Sequence, residues 1–115
     1  MYRTKNDLKI TFEANNNGDV KLYLSNLADF ERKNPCLRTF ALARLKPGEE
    51  VEFHIHKGES ESYYIISGSG IYNDNGKEIP IAPGTVTFTS SGTGHGIKNT
   101  GEDILEFIAL ILLDK

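Results

Sequence analysis

The chain has 115 residues, 38% of them hydrophobic and 25% charged, with a net charge of −3. That is enough chain for one globular domain to bury a core without disulfide or metal staples, and the acidic balance argues against nucleic acid or an anionic membrane as a partner, because both need a basic surface. The lone Cys36 excludes an internal disulfide and reads as a reduced intracellular thiol rather than a nucleophile.

Targeting signals point the same way. Met1 to Ile10 is charged and lacks the apolar run of a secretory leader. The most apolar stretch, Ile104 to Leu113, is too short to span a bilayer and carries Glu106 inside it. A cytoplasmic location is the expectation.

Taken in order, the chain is a series of short β-branched and aromatic runs between glycine and proline marks. Val20 to Leu24 is the first clear strand, after Asn17-Gly18. Ser25 to Arg32 is the one plausible helical turn, and Pro35 stops anything that starts there. Arg38 to Leu45, Val51 to Ile55 and Tyr63 to Ile66 follow as strands. Asn75-Gly76 between Ile71-Tyr72 and Ile79 to Ile81 is a hairpin signal, since a type I′ turn needs positive φ at both central positions. Thr85 to Thr89 and Ile104 to Leu113 complete the series. Many short strands with turns between them predict an all-β sandwich or barrel. No linker or repeat divides the chain, so residues 1–115 are expected to form a single domain.

The chemistry lies in the histidines, of which there are only three. Strand side chains alternate faces, so His54 and His56 point the same way, with Phe53 and Ile55 on the other face. Gly58 follows in a turn, and Glu61 then opens the next apolar run, where it can be brought opposite the pair. His95 sits in Gly92-Thr93-Gly94-His95-Gly96, where glycines let backbone approach closely and re-aim a side chain. Three neutral imidazoles and one carboxylate suit iron, manganese, nickel, cobalt, copper or zinc rather than calcium or magnesium. An octahedral ion would keep about two positions free. Singly, each residue has a blander reading: a surface pair, a solvated carboxylate, a loop histidine.

The spacing goes further. Gly48, His54, His56, Glu61 and Gly68, separated by five, one, four and six residues, resemble the first signature of the cupin superfamily at every defined position. Gly84, Ser90, Gly92, His95 and Asn99 resemble the second, except that Ser90 stands where the family usually has proline. The 15 residues between the motifs are similar to the short spacer of small single-domain cupins. The resemblance implies a double-stranded β-helix, a jelly-roll barrel of two antiparallel sheets. By the family pattern it also implies His54, His56, Glu61 and His95 as ligands of one divalent transition metal. The core motifs, 48–68 and 84–99, would then follow an N-terminal strand segment, 1–35. Small cupins commonly form homodimers, so Tyr2 to Phe12 is either a strand lent to a neighbour or an ordinary edge strand.

Strand parity offers pocket candidates. Tyr63 shares a face with Glu61, and Phe40, Leu42, Ile65 and Ile97 are expected to make the cavity wall apolar. Glu52 shares the parity of His54 and reads as a solvated edge residue or a group at the pocket rim. Arg44 reads as a surface ion pair or a holder of anionic substrate. No residue stands out as a catalytic acid or base. Two function classes remain open. One is a metalloenzyme acting on a small organic molecule, either dioxygenase-like or an isomerase or lyase using the ion as a Lewis acid. The other is a module that binds or senses a small ligand, such as a sugar or organic acid, without turnover. A metal that merely staples the barrel is a third reading, which tetrahedral zinc would suit.

Overall fold

A computed structural model describes residue 4, residues 10–16 and 20–26, and residues 34–114. Every regular element among them is a strand. In chain order these are β1 (Ile10–Asn16), β2 (Val20–Asn26), β3 (Leu37–Leu45), β4 (Glu50–Ile55), β5 (Glu59–Ser67), β6 (Gly70–Asp74), β7 (Lys77–Ile81), β8 (Val86–Thr89), β9 (Gly94–Lys98) and β10 (Leu105–Leu113). They form two antiparallel sheets, β1-β2-β3-β10-β5-β8 and β4-β9-β6-β7. From β3 onward the chain passes from one sheet to the other at each step, apart from the β6–β7 hairpin. This is the double-stranded β-helix.

Alternating side chains make the core. Ala41, Ala43 and Leu45 of β3 face inward, as do Tyr63 and Ile65 of β5 and Leu105, Phe107 and Ala109 of β10. Tyr72, Ile81 and Ile97 meet them from the other sheet. The barrel is therefore apolar at one end, where it can fill with aliphatic and aromatic carbon. Asn99 closes that end. It is fully buried, its amide donates to the carbonyls of Leu45 and Asp103 at 2.8 Å each, and its Oδ1 accepts from the Gly101 amide at 2.9 Å.

The hairpin expected at Asn75-Gly76 is present. Asn75 has φ of 50° and Gly76 of 102°, and Asp74 pairs with Lys77 across them. The Ser25 to Arg32 turn fares differently. Ser25 and Asn26 end β2, and residues 27–33 lie outside the described residues. Of the segment Tyr2 to Phe12, the part from Ile10 belongs to β1 and pairs with the chain's own β2, while the rest, apart from Thr4, lies outside the described residues. Among the described residues no helix is long and apolar enough to cross a membrane.

Candidate metal centre

Three strands bring the four polar residues together inside the barrel. His54 comes from β4, His56 from the turn after it, Glu61 from β5 and His95 from β9. The ligand atoms all lie within 4.8 Å of one another. His56 Nε2 is 3.0 Å from the Nε2 atoms of both His54 and His95, and 2.9 Å from Glu61 Oε1. His95 Nε2 is 2.8 Å from the same carboxylate oxygen. His56, Glu61 and His95 are buried, and His54 is partly so.

A β-bulge aims His54. Val51 pairs with Ile97 and His54 with His95, so Glu52 and Phe53 together stand opposite the single residue Gly96. Val51 and His54 both face inward as a result, while Glu52 and Phe53 face solvent. Glu52 therefore does not share the face of His54, as unbroken alternation would require. It joins Phe53 and Lys98 along a separate groove on the outside of the four-stranded sheet. The glycines of β9 make the bulge possible. A Cβ on Gly96 would stand 3.0 Å from the Phe53 nitrogen, and one on Gly94 would stand 2.4 Å from the Phe53 ring. The turn at Ser90 closes without proline, because the Thr93 amide and hydroxyl both donate to the Ser90 carbonyl, at 3.1 and 2.8 Å.

Each imidazole is held through its other nitrogen. His54 Nδ1 donates to the Glu52 carbonyl at 2.8 Å, an acceptor in the bulge itself. His56 Nδ1 donates to Glu59 Oε2 at 2.7 Å, and the second oxygen of Glu59 accepts from Arg38. His95 Nδ1 lies 2.8 Å from the Tyr72 hydroxyl and 2.9 Å from the Thr89 hydroxyl. A proton on Nδ1 leaves Nε2 of the neutral ring as a bare lone pair. The Nε2 atoms of His54 and His56, whose Nδ1 partners only accept, thus turn lone pairs toward one another, and that of His56 also toward a carboxylate, at about 3 Å. A cation at their centre relieves the repulsion and satisfies all four groups.

Electrostatics agree. Burial lowers the pKa of His54, outweighing its backbone hydrogen bond, so its neutral, metal-competent form persists to lower pH. Burial works against ionised Glu59, but the His56 hydrogen bond and the Arg38 guanidinium prevail and hold its carboxyl below the usual range. Burial and the neighbouring Glu61 charge push the Tyr63 phenol well above its ordinary value.

The cavity over the cluster has a volume of about 180 Å³, and its wall is mostly carbon: Ala43, Val51, Tyr63, Phe107, Ala109 and Ile111. Tyr63 lies where parity places it, its ring stacked on His95 at 4.9 Å. Phe40 and Leu42 do not line it. They lie on the outer face of β3, with Phe40 37% exposed, because Ala41 and Ala43 carry the inward phase. The bulky residues suggested the opposite phase, but small side chains are what leave room for a cavity. Ile65 and Ile97 do face inward, yet they belong to the apolar core rather than the cavity wall. Arg44 makes an ion pair with Glu106 at 2.7 Å.

Sequence reading missed Glu59, Tyr72 and Thr89. Glu59 had a signal, since it shares the phase of Glu61 on a strand that begins after Gly58. Tyr72 and Thr89 had none, because only the three-dimensional pairing brings them to His95.

Comparison with known proteins adds a family. Residues 41–111 match the family model described as the cupin domain. An oxalate-binding protein of Thermotoga maritima is 45% identical over 96 residues, which cover 84% of this chain and 79% of that protein. A crystal structure of a predicted oxalate decarboxylase, also from Thermotoga maritima, superposes with a TM-score of 0.89 at 39% identity, covering 98% of this chain and 99% of the other. A putative sugar phosphate isomerase from Acidithiobacillus ferrooxidans superposes with a TM-score of 0.73 at 26% identity, covering 83% of this chain and 61% of that one.

Proposed function

The chain belongs to the cupin family, and from that premise we propose that His54, His56, Glu61 and His95 hold one divalent transition-metal ion whose free positions bind a small dicarboxylate such as oxalate. The observation that carries the reading is the convergence of four acceptor atoms whose rings are locked from behind. Their spacing bears on the ion. Ligands about 2.1 Å from a metal stand about 3.0 Å apart along an octahedral edge and about 3.4 Å apart along a tetrahedral one. Four neighbouring separations of 2.8 to 3.0 Å, in a cluster no wider than 4.8 Å, would suit an ion of octahedral preference. Bound there, the ion supplies a Lewis-acidic centre on which two carboxylate oxygens can chelate.

The chain's own residues set the ligand's size and fate. At about 30 Å³ per water-sized unit, a cavity of about 180 Å³ admits a ligand of a few heavy atoms. The likeness to an oxalate-binding protein supports the same size class. Binding without turnover is the reading we favour. Decarboxylation needs a proton donor at the carbon that loses CO₂. Apart from the four clustered residues, the polar side chains among the described residues lining the cavity are Thr39 and Tyr63. The raised pKa of Tyr63 makes it a poor acid.

The test is calorimetric titration of oxalate into manganese-loaded and metal-free protein, with formate and CO₂ assayed in parallel. We expect stoichiometric metal, metal-dependent oxalate binding and no product, with both kinds of binding lost in His54→Ala. Equal oxalate affinity with and without metal would sink the proposal, and product formation would replace the binder with an enzyme.

The homodimer and the cytoplasmic setting belong to the same proposal. Lone Cys36 supports the second. The outer face of the six-stranded sheet supports the first, since Phe40, Tyr64, Ile66, Val86, Phe88 and Leu112 are 37 to 70% exposed on it. At 150–250 Å² for a whole aromatic side chain, their exposed parts amount to on the order of 500 Å². That approaches the roughly 800 Å² each partner gives to a standard interface. A second copy, offering the same uncharged carbon, is the occupant we assign. Light scattering should give a dimer that Phe88→Glu dissociates; a monomeric wild-type chain at tens of micromolar refutes this.

A further inference from the structure

Outside the four clustered residues, the described part of the molecule holds one buried carboxylate bridging the site to the surface. Glu59 is 6% exposed and opens β5 directly after Gly58, whose φ of 74° turns the chain inward. The turn is pinned on both sides, by the Gly58 amide donating to Ser91 Oγ at 2.9 Å and the Asp114 amide donating to the Gly58 carbonyl at 2.9 Å. Glu59 therefore has little freedom to choose its partners. One oxygen accepts from His56 Nδ1 at 2.7 Å, and the other accepts from Arg38. The Arg38 side chain is 58% exposed. It comes from β3, which contributes none of the four clustered residues.

We propose that Arg38 is a positioning residue for the metal centre, acting through Glu59 to fix the ring of His56 with Nε2 turned to the ion. The inference rests on the metal reading above and goes beyond it by giving a surface arginine a function in the site. The physical case is simple. A buried carboxylate with a single partner can swing toward whichever donor is nearer. A guanidinium, always charged, occupies the second oxygen and leaves the first for His56. His56 is the imidazole that touches both of the others and Glu61, so a rotation of its ring disturbs three of the close contacts in the cluster and spares the one between His95 and Glu61. The contrast with Arg44 is instructive. Its pair with Glu106 is also between strands, but Glu106 contacts no histidine, so that pair is an ordinary surface ion pair.

The experiment uses cobalt(II) as the probe on the full chain, reading affinity and the visible ligand-field spectrum. Arg38→Gln and Glu59→Gln are each expected to weaken cobalt binding by about 10- to 100-fold, as lost outer partners of metal-bound imidazoles do, and to alter the spectrum. Arg38→Lys should restore most of the affinity, since it keeps the charge, and Arg44→Gln should leave affinity and spectrum unchanged. The metal-free thermal transition of Arg38→Gln should fall only modestly, as Glu59 loses one partner, and affinity and spectrum are read well below it, which separates positioning from folding and covers the case in which Glu59→Gln folds poorly. Wild-type affinity and spectrum in Arg38→Gln overturn the proposal. An equal loss in Arg44→Gln also overturns it, because the effect would then be general surface charge. A wild-type protein that binds no cobalt removes the metal reading itself along with this one.

Discussion

Strands β4 and β5 deliver side chains to the same cluster by different means. β5 alternates from Glu59 to Ile66, with its one register shift, at Ile66 opposite β10, lying beyond the cluster, so Glu59, Glu61, Tyr63 and Ile65 all face in and Ser60, Ser62, Tyr64 and Ile66 face out. β4 breaks its alternation with a bulge opposite Gly96, and only because of that break do Val51 and His54 face the same interior. A regular strand places its side chains by counting. A bulged strand places them by what its neighbour allows, and here the neighbour allows it because β9 is built on glycine.

The largest expected effect tests the regular strand. Tyr63→Ala removes a ring packed on His95 and Phe107 and should cost about 3–5 kcal/mol in urea denaturation of the metal-free protein. Tyr64→Ala, one residue on but half exposed, should cost about 0.5 kcal/mol. Similar costs at both positions would contradict the alternation of β5. The bulged strand comes next. Gly94→Ala drives a Cβ to 2.4 Å from the Phe53 ring and 2.8 Å from the His54 carbonyl oxygen. Overpacking of this kind costs about 1–3 kcal/mol, and metal affinity should fall with it because His54 moves. If stability falls while metal affinity holds, the bulge does not control the aim of His54.

The smallest effect is in pH. The unfolded chain protonates a histidine near pH 6.5, whereas burial lowers the value for folded His54. Below pH 6.5 the unfolded state therefore binds more protons, and stability declines as pH falls. The thermal midpoint of metal-free protein should drop on acidification through this range, with a shallower slope in His54→Ala. An unchanged slope would show that His54 is not the group responsible.

The comparison also explains how much was legible in the sequence. An all-β sandwich or barrel followed from spacing, because turn residues and strand lengths are local properties, and the resemblance to cupins narrowed it to the jelly roll. The convergence of His54, His56, Glu61 and His95 followed from two motifs whose glycines and ligands stand at fixed intervals. Tyr63 was readable because β5 keeps period two from Glu59 to Ile66. Glu52 is exposed, as a solvated edge residue should be, but its expected shared face with His54 failed because a bulge is a relation between two strands, and neither strand announces it alone. Phe40 and Leu42 were misplaced for a different reason. Hydrophobicity suggested that the larger side chains of β3 face in, yet the alanines do, and the larger residues lie on a sheet face that is itself apolar. The imidazole partners Tyr72 and Thr89 come from β6 and β8, and no one-dimensional pattern joins them to β9.

The anchoring of every imidazole through Nδ1 bears on the order of events in the protein's life. A centre whose rings are already oriented by neighbouring carbonyl, carboxylate and hydroxyl oxygens is finished when the chain folds, before any ion arrives. In the metal centre proposed above, folding and loading would be separate steps, and loading would need only the shedding of water from the ion, not a rearrangement of the barrel. The affinity of such nitrogen and oxygen ligands rises along the divalent series toward copper, so in the proposed centre the ion held would be decided by which metal the surroundings supply.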